Sequence, residues 1–61
     1  MKSNELLRLL LKSGWKIKRQ SGSHMILEHP IILEIIVFPN HGSKEMGKGL
    51  EIRIKKIAGL K

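Results

Sequence analysis

Sixty-one residues without a cysteine allow a single domain, expected to span 1–61, and exclude disulfides and thiolate metal sites as supports for its small core. Twelve Lys and Arg against five Asp and Glu leave a net charge of +7, a field that draws polyanions, with nucleic acid the first candidate and an acidic membrane surface the second. No apolar run nears the roughly 18 residues needed to cross a bilayer, and Glu5, Arg8 and Lys12 interrupt the leading leucines, so neither a span nor a signal peptide is expected and a soluble cytoplasmic protein is.

In chain order, Ser3 is suited to capping a helix, with Glu5 in the first turn where the helix dipole favours an anion. Leu6, Leu7, Leu10 and Leu11 recur at helical spacing, Leu9 widens the stripe, and Gly14 can end the helix in the left-handed conformation, which predicts a helix over 3–13. From Trp15 the period becomes two. Trp15, Ile17 and Arg19 are expected on one face of a strand and Lys16, Lys18 and Gln20 on the other, the basic outer one. Ser21-Gly22 is a turn signal, a second strand is expected from about Ser23 to Glu28, and Pro30 marks the next turn. Ile31 to Phe38 is β-branched and apolar on both faces apart from Glu34, which predicts a third strand.

Pro39 to Gly49 reads as an exposed loop. Leu50, Ile54, Ile57 and Ala58 then fall at helical spacing, with Arg53, Lys55 and Lys56 between them, Gly59 as the stop and Ile52 outside the stripe. The expected class is α+β, in the order α-β-β-β-α: a three-stranded antiparallel sheet with both helices on one face. Helices on one face cover only half of the third strand's side chains. A partner chain, either a second copy or a different protein, is therefore expected over the rest.

Three histidines are candidates for chemistry. His24 and His29 are five apart, so on one regular strand they face opposite ways and cannot share an ion. His41 with either one gives two ligands, and Glu28 or Glu45 would have to supply a third; no protein-held metal and no cofactor is expected. His24 stands out because it follows a glycine turn, where backbone can approach a bulky anion, and because Lys16, Lys18 and Arg19 lie on the adjoining strand within reach of a phosphate. Ser23 is adjacent to His24 and so points to the opposite face; a hydrogen bond to the turn or the substrate suits it better than a role as nucleophile. Glu28 and Glu34 could meet across the second and third strands, but partnership with nearby Lys or Arg is the plainer reading, and a carboxylate pair for acid–base work is poorly supported. The glycine-rich stretch from Gly42 to Gly49 lacks the hydroxyl of a phosphate loop. Two aromatics, Trp15 and Phe38, are too few for a base-stacking platform.

Gly14-Trp15, Arg19, Gly22-Ser23-His24 and His29-Pro30, followed by Val37-Phe38-Pro39-Asn40-His41 and by Lys48-Gly49 through Ala58-Gly59-Leu60, resemble the HicA (YcfA-like) toxins over almost the whole chain. The resemblance implies a fold similar to the double-stranded-RNA-binding domain. It also implies ribonuclease activity on messenger RNA with His24 catalytic, and a HicB-type antitoxin as the partner that binds and blocks the toxin. Such a reaction needs a base, an acid and positive charge on the phosphoryl oxygens. His24 would be the base or the acid, and His41 is the candidate for the second proton transfer. Lys16, Lys18, Arg19 and Lys44, with the Gly22-Ser23 turn, would hold the RNA without a metal. Two other classes stand beside this one: a non-catalytic double-stranded-RNA binder gripping phosphates by shape, and a regulatory module whose basic face serves an acidic protein.

Overall fold

The structure, a computed structural model, describes residues 1–39 and 42–60; His41, a candidate from the sequence, lies outside them. Helix α1 spans Ser3–Lys12, strand β1 Lys16–Ser21, β2 His24–Glu28, β3 Ile36–Pro39, and helix α2 Lys48–Ala58. The strands form an antiparallel sheet in the order β1-β2-β3, so the α-β-β-β-α layout is the one expected.

Helix α1 does not begin as the capping residues imply. Lys2 holds the cap position with extended backbone, and Ser3 is buried inside the first turn, its hydroxyl without a hydrogen-bond partner among the described residues. A side-chain cap is unnecessary here because the loop between β3 and α2 supplies the acceptors. The N–H groups of Ser3 and Asn4 donate to the carbonyls of Lys44 and Gly42 at 3.0 and 2.9 Å, and Met46 N–H donates to Met1 at 3.1 Å. Glu5 adds one side-chain bond, its Oε1 accepting the Lys2 N–H at 3.1 Å. The loop expected to be wholly exposed is thus docked on the start of α1, with Met46 buried in the core.

The sheet has one filled face and one open face. Met25 and Leu27 of β2 and Ile36 and Phe38 of β3 are buried in one cluster with Leu6 and Leu10 of α1, Trp15, Met46, and Ile54 and Ala58 of α2. The alternate residues of the same strands, His24 and Ile26 against Pro39 and Val37 in the ladder, face away from both helices.

Two strand expectations need correction. First, β1 carries a bulge: Ile17 stands opposite Leu27 but Arg19 opposite Ile26, which leaves Lys18 as the extra residue. Past it the alternation inverts. Arg19 joins Ile26 on the open face, whereas Gln20, expected on the basic outer face, pairs with the core-facing Met25. Second, β3 begins at Ile36, not Ile31. The amides of Ile31 and Ile32 are turned toward the His29 ring, whose Nδ1 accepts from them at 3.1 and 3.3 Å. Committed there, they cannot enter a ladder, and the segment through Ile35 runs without regular structure. Among the described residues, no helix is long and apolar enough to cross a membrane.

Candidate functional site

The turn between β1 and β2 consists of Gly22 and Ser23, with Ser21 and His24 paired across it. Gly22 has φ +59° while no non-glycine residue in the described chain has positive φ. Positive φ at the first central residue only is the pattern of a type II′ turn, whose twist matches the strands it joins. A Cβ on Gly22 would meet nothing within 4 Å, so glycine is there for its backbone conformation, and the space beside the turn is open to a ligand.

His24 is the first residue of β2, next after this turn. Its side chain is exposed, and no hydrogen bond or ion pair holds the ring among the described residues. Along the open face the rows run Ser21–His24–Pro39 and then Arg19–Ile26–Val37. Arg19 is therefore placed one row from His24, about 7 Å along the strands at two residues' rise. Lys16 stands opposite Glu28 at the far end of β1. Lys18, displaced by the bulge, lines a shallow groove with Arg19, Ile26 and Ile35. The arrangement is an unencumbered imidazole at the lip of a turn, with cations further along the same sheet.

The remaining sequence candidates fall elsewhere. Ser23 is exposed at the turn itself. Lys44 sits in the loop docked on α1, its carbonyl engaged by Ser3. Glu34 is in the irregular segment and does not meet Glu28 in a ladder. Among the described residues, no group of three or more His, Asp or Glu is gathered closely enough to hold a metal ion.

His29 has a different environment from His24. Its Nε2 lies 3.0 Å from the carbonyl of Ser13, while Nδ1 accepts the two amides of the β2–β3 connection. The two contacts assign the neutral tautomer with the proton on Nε2. The ring packs against Trp15 with centroids 5.2 Å apart at 59°. A Cβ on Gly14, where φ is +99°, would come within 2.9 Å of His29 Nε2. Gly14, Trp15 and His29 thus form one structural clasp between the end of α1 and the end of β2. Sequence reasoning left His29 without a role; the signal was its neighbour Pro30, since a histidine at the mouth of a proline turn is well placed to cap the amides that follow.

A second charged cluster lies away from β2. The Met1 ammonium is bonded to Glu45 and lies 3.0 Å from Glu51, which also takes Lys55 Nζ at 3.1 Å. Glu45 and then Glu51 raise the amine's pKa above its ordinary value, and the ammonium and then Lys55 hold Glu51 below the usual carboxylate range. The cluster ties the chain start to the first turn of α2.

Three comparisons bear on this geometry. Residues 3–60 match the family described as the HicA toxin of bacterial toxin-antitoxin. A probable mRNA interferase HicA from Pseudomonas fluorescens (strain Pf0-1) is 41% identical over 61 residues, 100% of this chain and 98% of the relative. A chain in the solved HicA3 and HicB3 toxin-antitoxin complex is similar with a TM-score of 0.82 and 38% identity, covering 100% of this chain and 97% of that one.

Proposed function

The chain belongs to the HicA toxin family, and from that premise we propose that it is an endoribonuclease, the toxin of a toxin–antitoxin pair, which cleaves messenger RNA in the cytoplasm with His24 as its catalytic residue and is held inactive by a HicB-type antitoxin. The activity follows the relative named as an mRNA interferase, and the partner follows the solved toxin–antitoxin complex. The observation that carries the His24 assignment is its position: exposed, unpartnered among the described residues, and directly after an open turn on the helix-free face. His29, by contrast, has both ring nitrogens committed to the backbone.

RNA carries a 2′-hydroxyl beside each phosphate. A base that removes its proton lets the oxygen attack phosphorus, and an acid protonates the departing 5′-oxygen. His24 serves as one of these groups and His41 as the other. Arg19, Lys18 and Lys16 bind phosphates along the open face, the Gly22-Ser23 turn lets the backbone approach, and Lys44 contributes charge from its loop. The nucleophile belongs to the substrate, so the proposed reaction is metal-independent.

The test is His24→Ala. An exposed, unpartnered side chain away from the core changes stability by less than about 0.5 kcal/mol when truncated, so the variant should melt with the parent while RNA cleavage by the purified protein and growth arrest on induction are both lost. Cleavage retained in the folded variant would remove His24 from the mechanism. It would leave RNA binding as the function if the variant still gripped RNA.

A further inference from the structure

The row of the open face that holds His24 has two other members. Pro39 lies on one side of it, and Ser21, the last residue of β1, on the other. Pro39 has neither a side-chain donor nor an N–H. Ser21 has a hydroxyl, and the base, acid and cations of the cleavage do not account for it. The hairpin fixes where that hydroxyl stands. With only Gly22 and Ser23 between them, Ser21 and His24 are directly opposed across the turn, and such a pair carries its Cβ atoms about 5 Å apart on one face of the sheet. The bulge at Lys18 sets which face. Because the register resumes with Arg19 opposite Ile26, Gln20 falls on the core side and Ser21 on the open side with His24; a slip of one residue would turn Ser21 inward.

Ser21 is exposed, and its hydroxyl has no hydrogen-bond partner among the described residues, so it can donate to an incoming group. Its side chain is short and reaches only a group already lying against the imidazole. A hydroxyl and an imidazole side by side, with the Arg19 guanidinium based one row behind, suit a tetrahedral anion, whose oxygens point apart and can meet each of them separately. We propose that Ser21 is a further catalytic residue of the RNA cleavage: its hydroxyl donates to a non-bridging oxygen of the phosphate on which His24 acts. The assignment rests on the ribonuclease reading of His24 above. Negative charge on the non-bridging oxygens grows as the 2′-oxygen bonds to phosphorus, so the Ser21 bond is stronger in the transition state than in the bound substrate, and it raises kcat more than it lowers KM. No proton leaves Ser21; the 2′-hydroxyl proton and the proton for the 5′-oxygen pass through the base and the acid.

The test uses Ser21→Ala and Ser21→Thr in the purified protein, with RNA oligonucleotides carrying oxygen only or one sulfur at the scissile phosphate, as separated diastereomers. Both variants should melt with the parent, because the side chain is exposed. Ser21→Ala should lose about 30-fold in kcat on all-oxygen RNA, the worth of one hydrogen bond to a charged group, with KM little changed. Ser21→Thr, which keeps the hydroxyl, should cleave as the parent does. Sulfur accepts hydrogen bonds poorly, so the parent should be slowed by about tenfold when sulfur replaces the oxygen facing Ser21. That penalty should vanish in Ser21→Ala for this diastereomer, and the other diastereomer's penalty should stay as it is in the parent. Ser21→Ala cleaving at the parent's rate overturns the proposal. So does a variant slowed equally on every substrate with both sulfur penalties intact, because Ser21 then only shapes the turn. If His24→Ala is inactive while Ser21→Ala is parent-like, the role of Ser21 falls and that of His24 stands. If His24→Ala cleaves like the parent, the His24 reading falls, and the sulfur penalties still decide Ser21. A parent that binds RNA without cutting it contradicts both.

Discussion

Two histidines of similar sequence appearance are held in very different ways. His24 follows a glycine turn and His29 precedes a proline, and both are five-membered rings that can move protons. Their surroundings separate them. The His29 ring is an acceptor for Ile31 and Ile32 and touches the Ser13 carbonyl, so every polar atom it has is used in holding the chain. His29→Ala would leave two amides and a carbonyl seeking water and would open a gap beside Trp15. Destabilisation of about 1–2 kcal/mol is expected, read as a lowered denaturation midpoint, with the cleavage rate of the remaining folded fraction nearly unchanged. A stable His29→Ala protein without activity would show instead that His29 acts in the chemistry. The glycine turn and the place of His24 directly after it were legible in the sequence. The clasp was not, because it joins residues of two elements whose approach depends on how α1 packs on the sheet.

At the scale of elements, both helices were readable because their leucine and isoleucine spacing is long enough for a 3.6-residue period to stand out. The strands were less so, and each error has a local cause. In β1 the alternation from Lys16 to Gln20 is broken by a single extra residue, Lys18, and a bulge carries no compositional mark when the bulged residue is a lysine among polar neighbours. In β3 the run from Ile31 has strand-forming residues, but its first amides are claimed by His29, which overrides propensity. The bulge changes which side chain stands on the open face: Arg19 rather than Gln20. In the His24→Ala background, Arg19→Ala should weaken RNA binding and lower the slope of log affinity against log salt by about one. Gln20→Ala should leave the slope unaltered, since Gln20 shares the core-side row with Met25. Equal effects at the two positions would contradict the register.

For the molecule as a whole, charge is both an asset and a load. A net +7 on so short a chain favours RNA but strains a small core through self-repulsion, and the Met1–Glu51–Lys55 cluster offsets part of it. Its pH dependence follows from the directions of the shifts. Glu51 is held below the usual carboxylate range, so its contribution is present above that range and disappears as pH falls through the lowered value. The amine is raised, so its contribution is present below the ordinary amine range and disappears as pH rises through the raised value. Melting temperature should therefore be highest between about pH 5 and pH 8, and Glu51→Gln should flatten the profile on both sides; an identical profile in that variant would show that the cluster adds nothing. The central claim is that the RNA itself supplies the nucleophile and His24 moves a proton for it. End-group analysis of RNA cut by the purified protein in excess EDTA tests that claim most directly. The account requires 2′,3′-cyclic phosphate and free 5′-hydroxyl ends, and no cut at a 2′-deoxy nucleotide. A 5′-phosphate product, or cleavage lost to EDTA and restored by magnesium or manganese, would mean that a metal-bound water attacks the phosphorus, and would contradict it.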